Sequence, residues 1–178
     1  MPPTTLILGL GDTRRGNAGF GPGCIAELMR RWRFPDSVRV LDGTSGPGDL
    51  REAVAAVRGL VVFASLSGVA PAAGLQIVQG RRVADILRAA TTAEAAEVID
   101  ALDGPRTARP ARMVLIGRHA GARATDAPGL KAERDVGPAV EAALTILRGW
   151  GVCPLAEAAE RAGRLHAGVA SAAPEAVG

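Results

Sequence analysis

The chain has 178 residues, which suits one domain with a single substantial core, and no apolar run reaches the length of about 18 residues that a membrane-spanning helix needs. The formal net charge is +3, but aromatic residues make up only 3% and tyrosine is absent, which leaves little for stacking on nucleic-acid bases. We therefore interpret the arginines as solvated surface charge and expect neither a membrane span nor a nucleic-acid partner.

Short apolar runs alternate with segments of helical periodicity along the chain. In order, the pattern predicts strand 6–8, helix 24–32, strand 38–41, helix 49–57, strands 60–63 and 75–79, helices 83–89 and 93–102, strand 113–117 and helix 136–150. In the first helix we expect Ile25, Leu28, Met29 and Trp32 to share the buried face. The alternation predicts a three-layer α/β/α domain with a mostly parallel sheet of about five strands, whose sites form at the carboxyl ends of the strands.

The domain is predicted to span residues 1–152. Residues 153–178 are predicted to form a tail that is partly helical or disordered, because large apolar residues become rare there. Two cysteines make no disulfide framework and the N-terminus lacks the basic region of a signal peptide, so we expect a cytoplasmic protein. Cys24 lies in or beside the first helix and is expected to be packed rather than reactive.

Four sequence blocks stand in a distinctive order. They are Leu6-Ile7-Leu8-Gly9-Leu10-Gly11-Asp12, Gly16-Asn17-Ala18-Gly19-Phe20-Gly21, Asp42-Gly43-Thr44-Ser45-Gly46 and Leu60-Val61-Val62-Phe63-Ala64. In this order and spacing they resemble the hydrogenase maturation endopeptidases. The resemblance implies a phosphorylase/hydrolase-like α/β fold and cleavage of the C-terminal tail from the large subunit of a nickel–iron hydrogenase. It also implies that the substrate carries the nickel, so no cofactor of the chain's own is expected.

The positions at which that family has metal ligands hold other residues in this chain. The family has an acidic residue in the loop after the first strand, an Asp directly after the third strand and a His at the start of a later helix. The resemblance places Ala18, Ala64 and Thr91 at these positions. Because a divalent metal held by two carboxylates and an imidazole needs those donor atoms, we expect no metal at the family positions. This predicts a non-peptidolytic role in binding a hydrogenase large subunit or its maturation complex.

A relocated metal site is the first alternative. Asp12, Asp42 and His119 follow strands whose carboxyl ends are expected at one edge of the sheet, and together they offer two carboxylates and an imidazole. This alternative predicts an active endopeptidase that cleaves the large-subunit tail, and it requires the three side chains to lie within reach of one ion. The more ordinary interpretation of His119 is a surface loop residue. Whether the chain is an enzyme is therefore open.

Residues around the expected cleft are candidates for contacts with the partner. Arg14 and Arg15 replace the small or apolar residues usual in the family's first loop, and they make the cleft basic, which suits an acidic or carboxylate-bearing peptide end. Asn17, Asp42 and Thr44 lie in the loops that the resemblance places at the same cleft. Asp42 is explained equally well as the cap of its own turn.

A small-ligand or nucleotide-binding module is the last alternative. Gly9-Leu10-Gly11 follows a strand, but the dinucleotide fingerprint needs a third glycine where Arg14 stands, so a tight strand-to-loop turn is the competing interpretation. A serine nucleophile finds little support, because no Gly-x-Ser-x-Gly elbow surrounds Ser65 or Ser67.

Overall fold

The computed structural model describes residues 4–11, 19–43, 47–66, 74–90, 92–104, 109–119 and 130–157, of which 47–49 and 130–133 are described by their backbone alone. In chain order these residues form β1 (Thr5–Leu10), α1 (Phe20–Arg31), β2 (Trp32–Arg33), β3 (Val38–Asp42), α2 (Pro47–Ala55), β4 (Gly59–Leu66), β5 (Gly74–Gln79), α3 (Arg82–Ala89), α4 (Ala93–Asp103), β6 (Arg112–His119), α5 (Leu130–Gly149) and β7 (Leu155–Ala156).

Five strands form one sheet in the order β3-β1-β4-β6-β5. The strands β3, β1, β4 and β6 are parallel, and β5 runs antiparallel to β6 at one edge. Helices α1 and α5 cover one face of the sheet, and α2, α3 and α4 cover the other. The predicted three-layer α/β fold with a mostly parallel sheet of about five strands is therefore confirmed.

Alternate residues of each central strand pack into two separate hydrophobic cores, one on each face of the sheet. In β1, Leu6 and Leu8 pack with α2, α3 and α4, whereas Ile7 packs with α1 and α5. Successive side chains of a strand point to opposite faces, so a strand covered on both faces is apolar throughout. This explains why the buried strands appear in the sequence as unbroken apolar runs. The apolar residues at helical spacing along α2 and just after it (Leu50, Val54 and Val57) and along α5 (Val140, Leu144 and Leu147) are all buried.

Backbone contact between two glycines seats α1 on the sheet. A Cβ atom on Gly21 would lie 2.6 Å from the amide N of Leu10 and 2.7 Å from the carbonyl O of Phe63. A Cβ on Gly9 would lie 2.6 Å from the carbonyl O of Gly21. Real Cβ atoms essentially never come this close to backbone atoms, so α1 can lie against the ends of β1 and β4 only because both residues are glycine.

The first helix differs from its predicted form in three ways. It begins at Phe20, four residues earlier than predicted, because Phe20 and Cys24 continue the buried face of Leu28 by one turn. Met29 is 50% exposed, so its prediction as a buried residue was wrong: it lies in the last turn of the helix, at the border of that face. Trp32 leaves the helix with extended backbone angles and starts β2.

The chain beyond residue 152 makes a second, two-stranded sheet. β7 pairs antiparallel with β2, with Trp32 opposite Ala156 and Arg33 opposite Leu155. The Arg33 Nη2 donates to Glu157 Oε1 at 3.0 Å next to this pair. Residues 158–178 lie outside the described part of the chain, so the tail remains a prediction. Among the described helices, none is both long and apolar enough to span a bilayer.

We expect Gly21→Ala to lower the free energy of unfolding by roughly 1–3 kcal/mol, because the new methyl group meets backbone atoms that cannot move aside. Urea denaturation measures the change. Gly23→Ala is the matched control in the same helix: its Cβ would lie 3.5 Å from Val136 Cγ2, an ordinary contact, so we expect a gain of about 0.5–1 kcal/mol from helix propensity. Equal effects of the two substitutions would contradict the close packing.

We expect the two cysteines to differ sharply in reactivity. Burial raises the pKa of the Cys24 thiol to about 12, because the thiolate would be removed from water, whereas Cys153 is exposed. At pH 8 a disulfide reagent such as DTNB should therefore modify one thiol per native chain and two in denaturant. Rapid modification of both thiols in the native protein would show that Cys24 is not packed.

Candidate functional site

The parallel strands β1, β3, β4 and β6 all end at one edge of the sheet, which we call the rim. It is defined here by Leu10, Asp42, Ala64 and His119, which lie at or near the carboxyl ends of these four strands. Sites in open α/β sheets form outside the carboxyl ends of the strands. The rim is therefore the candidate functional site, and it is the edge that the sequence predicted.

Ala64 lies at the centre of the rim. In β4 it stands between Leu10 of β1 and Gly117 of β6, and it is only 7% exposed. Its methyl group belongs to the core formed with α2, α3 and α4. A methyl group has no donor atom, so the residue at this position contributes nothing to metal binding.

Asp42 ends β3 at the outer side of the rim. It is paired in register with Gly9, and the amide N of Gly43 donates to the carbonyl O of Gly9 at 2.7 Å. The alternation of side chains places Asp42 on the same face as Val40, which packs in the core with α1 and α5.

His119 ends β6, so it belongs to a strand that continues two residues beyond the predicted end. Its ring is half-buried, and its Nε2 lies 2.7 Å from Gln76 Oε1 on the neighbouring strand β5. This contact occupies Nε2, and Nδ1 is the other ring nitrogen. His119 is paired in register with Leu66 of β4, whose side chain packs on the face of the sheet that α2, α3 and α4 cover.

The structure does not bring Asp42 and His119 together. Two strands, β1 and β4, separate them in the sheet, which corresponds to roughly 14 Å at about 4.8 Å per strand. Their side chains also project from opposite faces of the sheet. A metal ion binds its ligands at about 2.0–2.6 Å, so these two residues do not hold one ion in this arrangement. Among the residues that the structure describes, no group of three His, Cys, Asp or Glu side chains is placed to hold a metal ion.

Several candidate residues from the sequence have no described position. The residues outside the described ranges are Asp12, Arg14, Arg15, Asn17, Ala18, Thr44 and Thr91. Their proposed roles, as replacements of the family's metal ligands, as substitute ligands or as contacts with the partner, remain predictions.

Arg118 is a residue at the rim that the sequence interpretation missed. It is 5% exposed, and its Nε donates to Asp135 Oδ2 of α5 at 2.7 Å. A buried guanidinium is costly unless it is paired, so this contact ties β6 to α5 just below His119. The sequence contained a signal for this pair. Because side chains alternate along a strand, Arg118 lies on the same face of β6 as the buried residues Val114 and Ile116, where a charged side chain needs a partner.

Sequence similarity to known proteins concerns only part of the chain. No family model matches it. It is 39% identical over 82 residues to the hydrogenase expression/formation protein HoxM of Azotobacter vinelandii, a match that covers 46% of this chain and 39% of that protein. It is 40% identical over 70 residues to the hydrogenase expression/formation protein HupM of Azotobacter chroococcum mcd 1, which covers 39% of this chain and 34% of that protein. The matches thus span less than half the length of these curated relatives.

Similarity of fold extends over most of the chain. The hydrogenase maturating endopeptidase HybD from E. coli superposes with a TM-score of 0.75 and 23% identity, over 87% of this chain and 98% of that one. The [NiFe] hydrogenase maturation protease HybD from Thermococcus kodakarensis superposes with a TM-score of 0.58 and 21% identity, over 80% of this chain and 98% of that one. At this level of identity the likeness shows the fold. The fold that the resemblance implied is therefore confirmed: the chain is similar in fold to the hydrogenase maturation endopeptidases, and in part of its sequence to two hydrogenase expression/formation proteins.

Proposed function

We propose that the chain acts in the maturation of a nickel–iron hydrogenase by binding the large subunit, or its maturation complex, in the cytoplasm without cleaving it. The observation that carries the proposal is the buried methyl group of Ala64 at the centre of the rim, where the family resemblance places an Asp ligand. The fold and the partial sequence similarity to hydrogenase formation proteins support the maturation role.

Loss of the metal donors supports the absence of cleavage. The resemblance implies that the family's enzymes recognise nickel in their substrate through two carboxylates and an imidazole. Ala64 lacks such a donor, and the sequence places Ala18 and Thr91 at the other two positions. Without donor atoms at these three positions, the chain lacks the side chains through which the resemblance implies that the family completes the coordination of a substrate-bound nickel ion. What remains for function is the surface around the rim.

Basic residues support a contact with an acidic or carboxylate-bearing segment of the partner. Arg14 and Arg15 lie in the segment that joins β1 to α1, and its two ends, Gly11 and Gly19, flank the rim. Guanidinium groups bind carboxylates in bidentate geometry, which gives both affinity and orientation. Asn17, Asp42 and Thr44 are the further candidates for this contact.

The second candidate function is an endopeptidase with a relocated metal site, which requires Asp12, Asp42 and His119 to lie within reach of one ion. The positions of Asp42 and His119 argue against this requirement. Asp42 and His119 lie roughly 14 Å apart on opposite faces, which is too far for one ion. The nucleotide-binding alternative is also weakened, because Gly9 is in backbone contact with Gly21 and so serves helix packing.

We expect the chain itself to show no saturable binding of nickel or zinc by calorimetry. The variant Ala18→Glu/Ala64→Asp/Thr91→His restores two carboxylates and an imidazole, and we expect it to bind zinc at least about tenfold tighter than the parent, or about 1.4 kcal/mol. Zinc should also raise the Tm of this variant, because an ion that binds the native state stabilises it.

The uncharged variant Ala18→Gln/Ala64→Asn/Thr91→Gln is the matched control and should gain no zinc affinity. Nickel binding by the parent that is lost on Asp12→Ala or His119→Ala would contradict the proposal. It would instead support a relocated site, and cleavage of the large-subunit tail would then be assayed.

We expect the parent protein to bind a hydrogenase large-subunit precursor that still carries its C-terminal tail and to leave the tail intact by mass spectrometry. Arg14→Glu/Arg15→Glu should weaken this binding at least about tenfold, measured by biolayer interferometry, because two attractive contacts become repulsive.

Arg30→Glu/Arg31→Glu makes the same charge change in the last turn of α1, away from the rim. It removes the surface ion pairs of these arginines with Glu27 but should leave the affinity for the large-subunit precursor unchanged. Release of the tail by the parent, or equal weakening by both variants, would overturn the proposed function.

A further inference from the structure

A second concave site lies at the opposite edge of the sheet, where the parallel strands begin. This basal cavity has a volume of about 450 Å³ and is lined by the starts of β1, β4 and β6, by the residue before β3 and by the turn after α5. Pockets of this size accommodate small ligands. The cavity is at the other end of the strands from the rim, so the proposed function does not use it.

Two arginines give the basal cavity its charge. Arg58 precedes β4 and Arg112 begins β6, and the two are neighbours because the amide N of Arg112 donates to the carbonyl O of Arg58 at 3.1 Å. No acidic residue is found among the described residues that line the cavity. The only hydrogen bond described for the Arg112 guanidinium is a long one, 3.4 Å from Nη1 to the carbonyl O of Trp150. Two adjacent like charges without a counter-charge attract an anion.

An aromatic side chain forms one wall of the same cavity. The indole of Trp150 packs against Gly59, so that a Cβ on Gly59 would lie 3.1 Å from its Cζ3 atom. The position of Trp150 is set by the end of α5. Gly151 has a φ of 83°, the amide N of Val152 donates to the carbonyl O of Leu147 at 2.9 Å, and the amide N of Gly151 donates to the carbonyl O of Arg148 at 2.9 Å. These two bonds form a Schellman motif, which holds Trp150 at the cavity.

Hydroxyl groups complete the lining. Thr4, Thr5 and Ser37 supply hydroxyls to the lining, of which the Thr4 hydroxyl donates to the carbonyl O of Ser37 at 3.4 Å. Guanidinium groups and hydroxyls are the side-chain donors that bind the oxygens of carboxylates and phosphates, and an aromatic wall adds a flat apolar surface.

We propose that the basal cavity binds a small oxyanion, a carboxylate or a phosphate, between Arg58 and Arg112 and beside the indole of Trp150. The ligand neutralises the two guanidinium groups, and its oxygens accept hydrogen bonds from them and from the nearby hydroxyls. Carboxylate and phosphate share this chemistry, and titration with each distinguishes them.

The test uses Trp150 as its own reporter. The chain has two tryptophans, so Trp32→Phe leaves Trp150 as the only one, and it removes no hydrogen bond to any described residue, because Trp32 Nε1 has no partner among them. The emission of this protein is titrated with sodium phosphate and, separately, with sodium acetate, while sodium chloride keeps the ionic strength constant. We expect a saturable change with at least one of the two anions, and a loss of affinity of at least about tenfold in Arg58→Gln/Arg112→Gln.

Arg51→Gln/Arg134→Gln is the matched control. It removes the same charge from two exposed arginines outside the cavity lining, on α2 and α5, and should leave the affinity unchanged. An independent measurement on the protein with both arginines intact is the NMR shift of the Trp150 indole and the Gly59 amide on addition of phosphate. No saturable response to either anion in both measurements, or an equal loss of affinity in the control variant, would overturn the proposal.

Discussion

The contact between Gly9 and Gly21 is the constraint on which the rest of the structure depends. It lets the backbone of α1 lie directly against the carboxyl ends of β1 and β4, closer than any side chain would allow. The buried face of α1 then reaches the sheet, and Phe20, Cys24 and Leu28 join the core beneath it. Gly9, which in the sequence resembles part of a nucleotide-binding motif, therefore serves packing.

The order of the strands determines what the rim can do. Ala64 lies in the middle strand, with Leu10 and Gly117 on either side, so the three central positions carry only apolar groups or no side chain. The polar residues Asp42 and His119 stand on β3 and β6, with two strands between them, and on opposite faces of the sheet. Such a rim does not assemble a metal site from these residues, but it leaves a surface that a partner segment can occupy. This geometry is the physical basis of the proposed binding role.

The two ends of the parallel strands carry different chemistry. At the rim the central positions are apolar and Asp42 and His119 are separated by two strands, whereas the basal cavity combines two arginines, hydroxyls and an indole. The basal cavity exists because α5 ends in a motif that turns the chain at Gly151 and leaves Trp150 beside the starts of the strands. Buried Arg118, paired with Asp135, ties the other end of α5 to β6 near the rim. The same helix thus supports both edges of the sheet.

The sequence by itself determined the strands and helices whose apolar residues recur at a regular spacing. The apolar runs predicted β1, β4 and β6, and the alternation of strands and helices predicted a mostly parallel sheet whose carboxyl ends lie at one edge. These features follow from side-chain hydrophobicity at a fixed period, which the chain carries locally. The four blocks also carried the family resemblance.

Only the tertiary structure decided the features that depend on neighbours distant in the sequence. The early start of α1 depends on the contact of Gly21 with Leu10 and Phe63, and the pairing of β7 with β2 joins residues more than a hundred positions apart. The separation of Asp42 from His119 follows from strand order, and the partner of Arg118 lies on another element. A periodic pattern records which side of an element is apolar, but strand order and close approach are properties of the packed whole, so they had to be read from the fold.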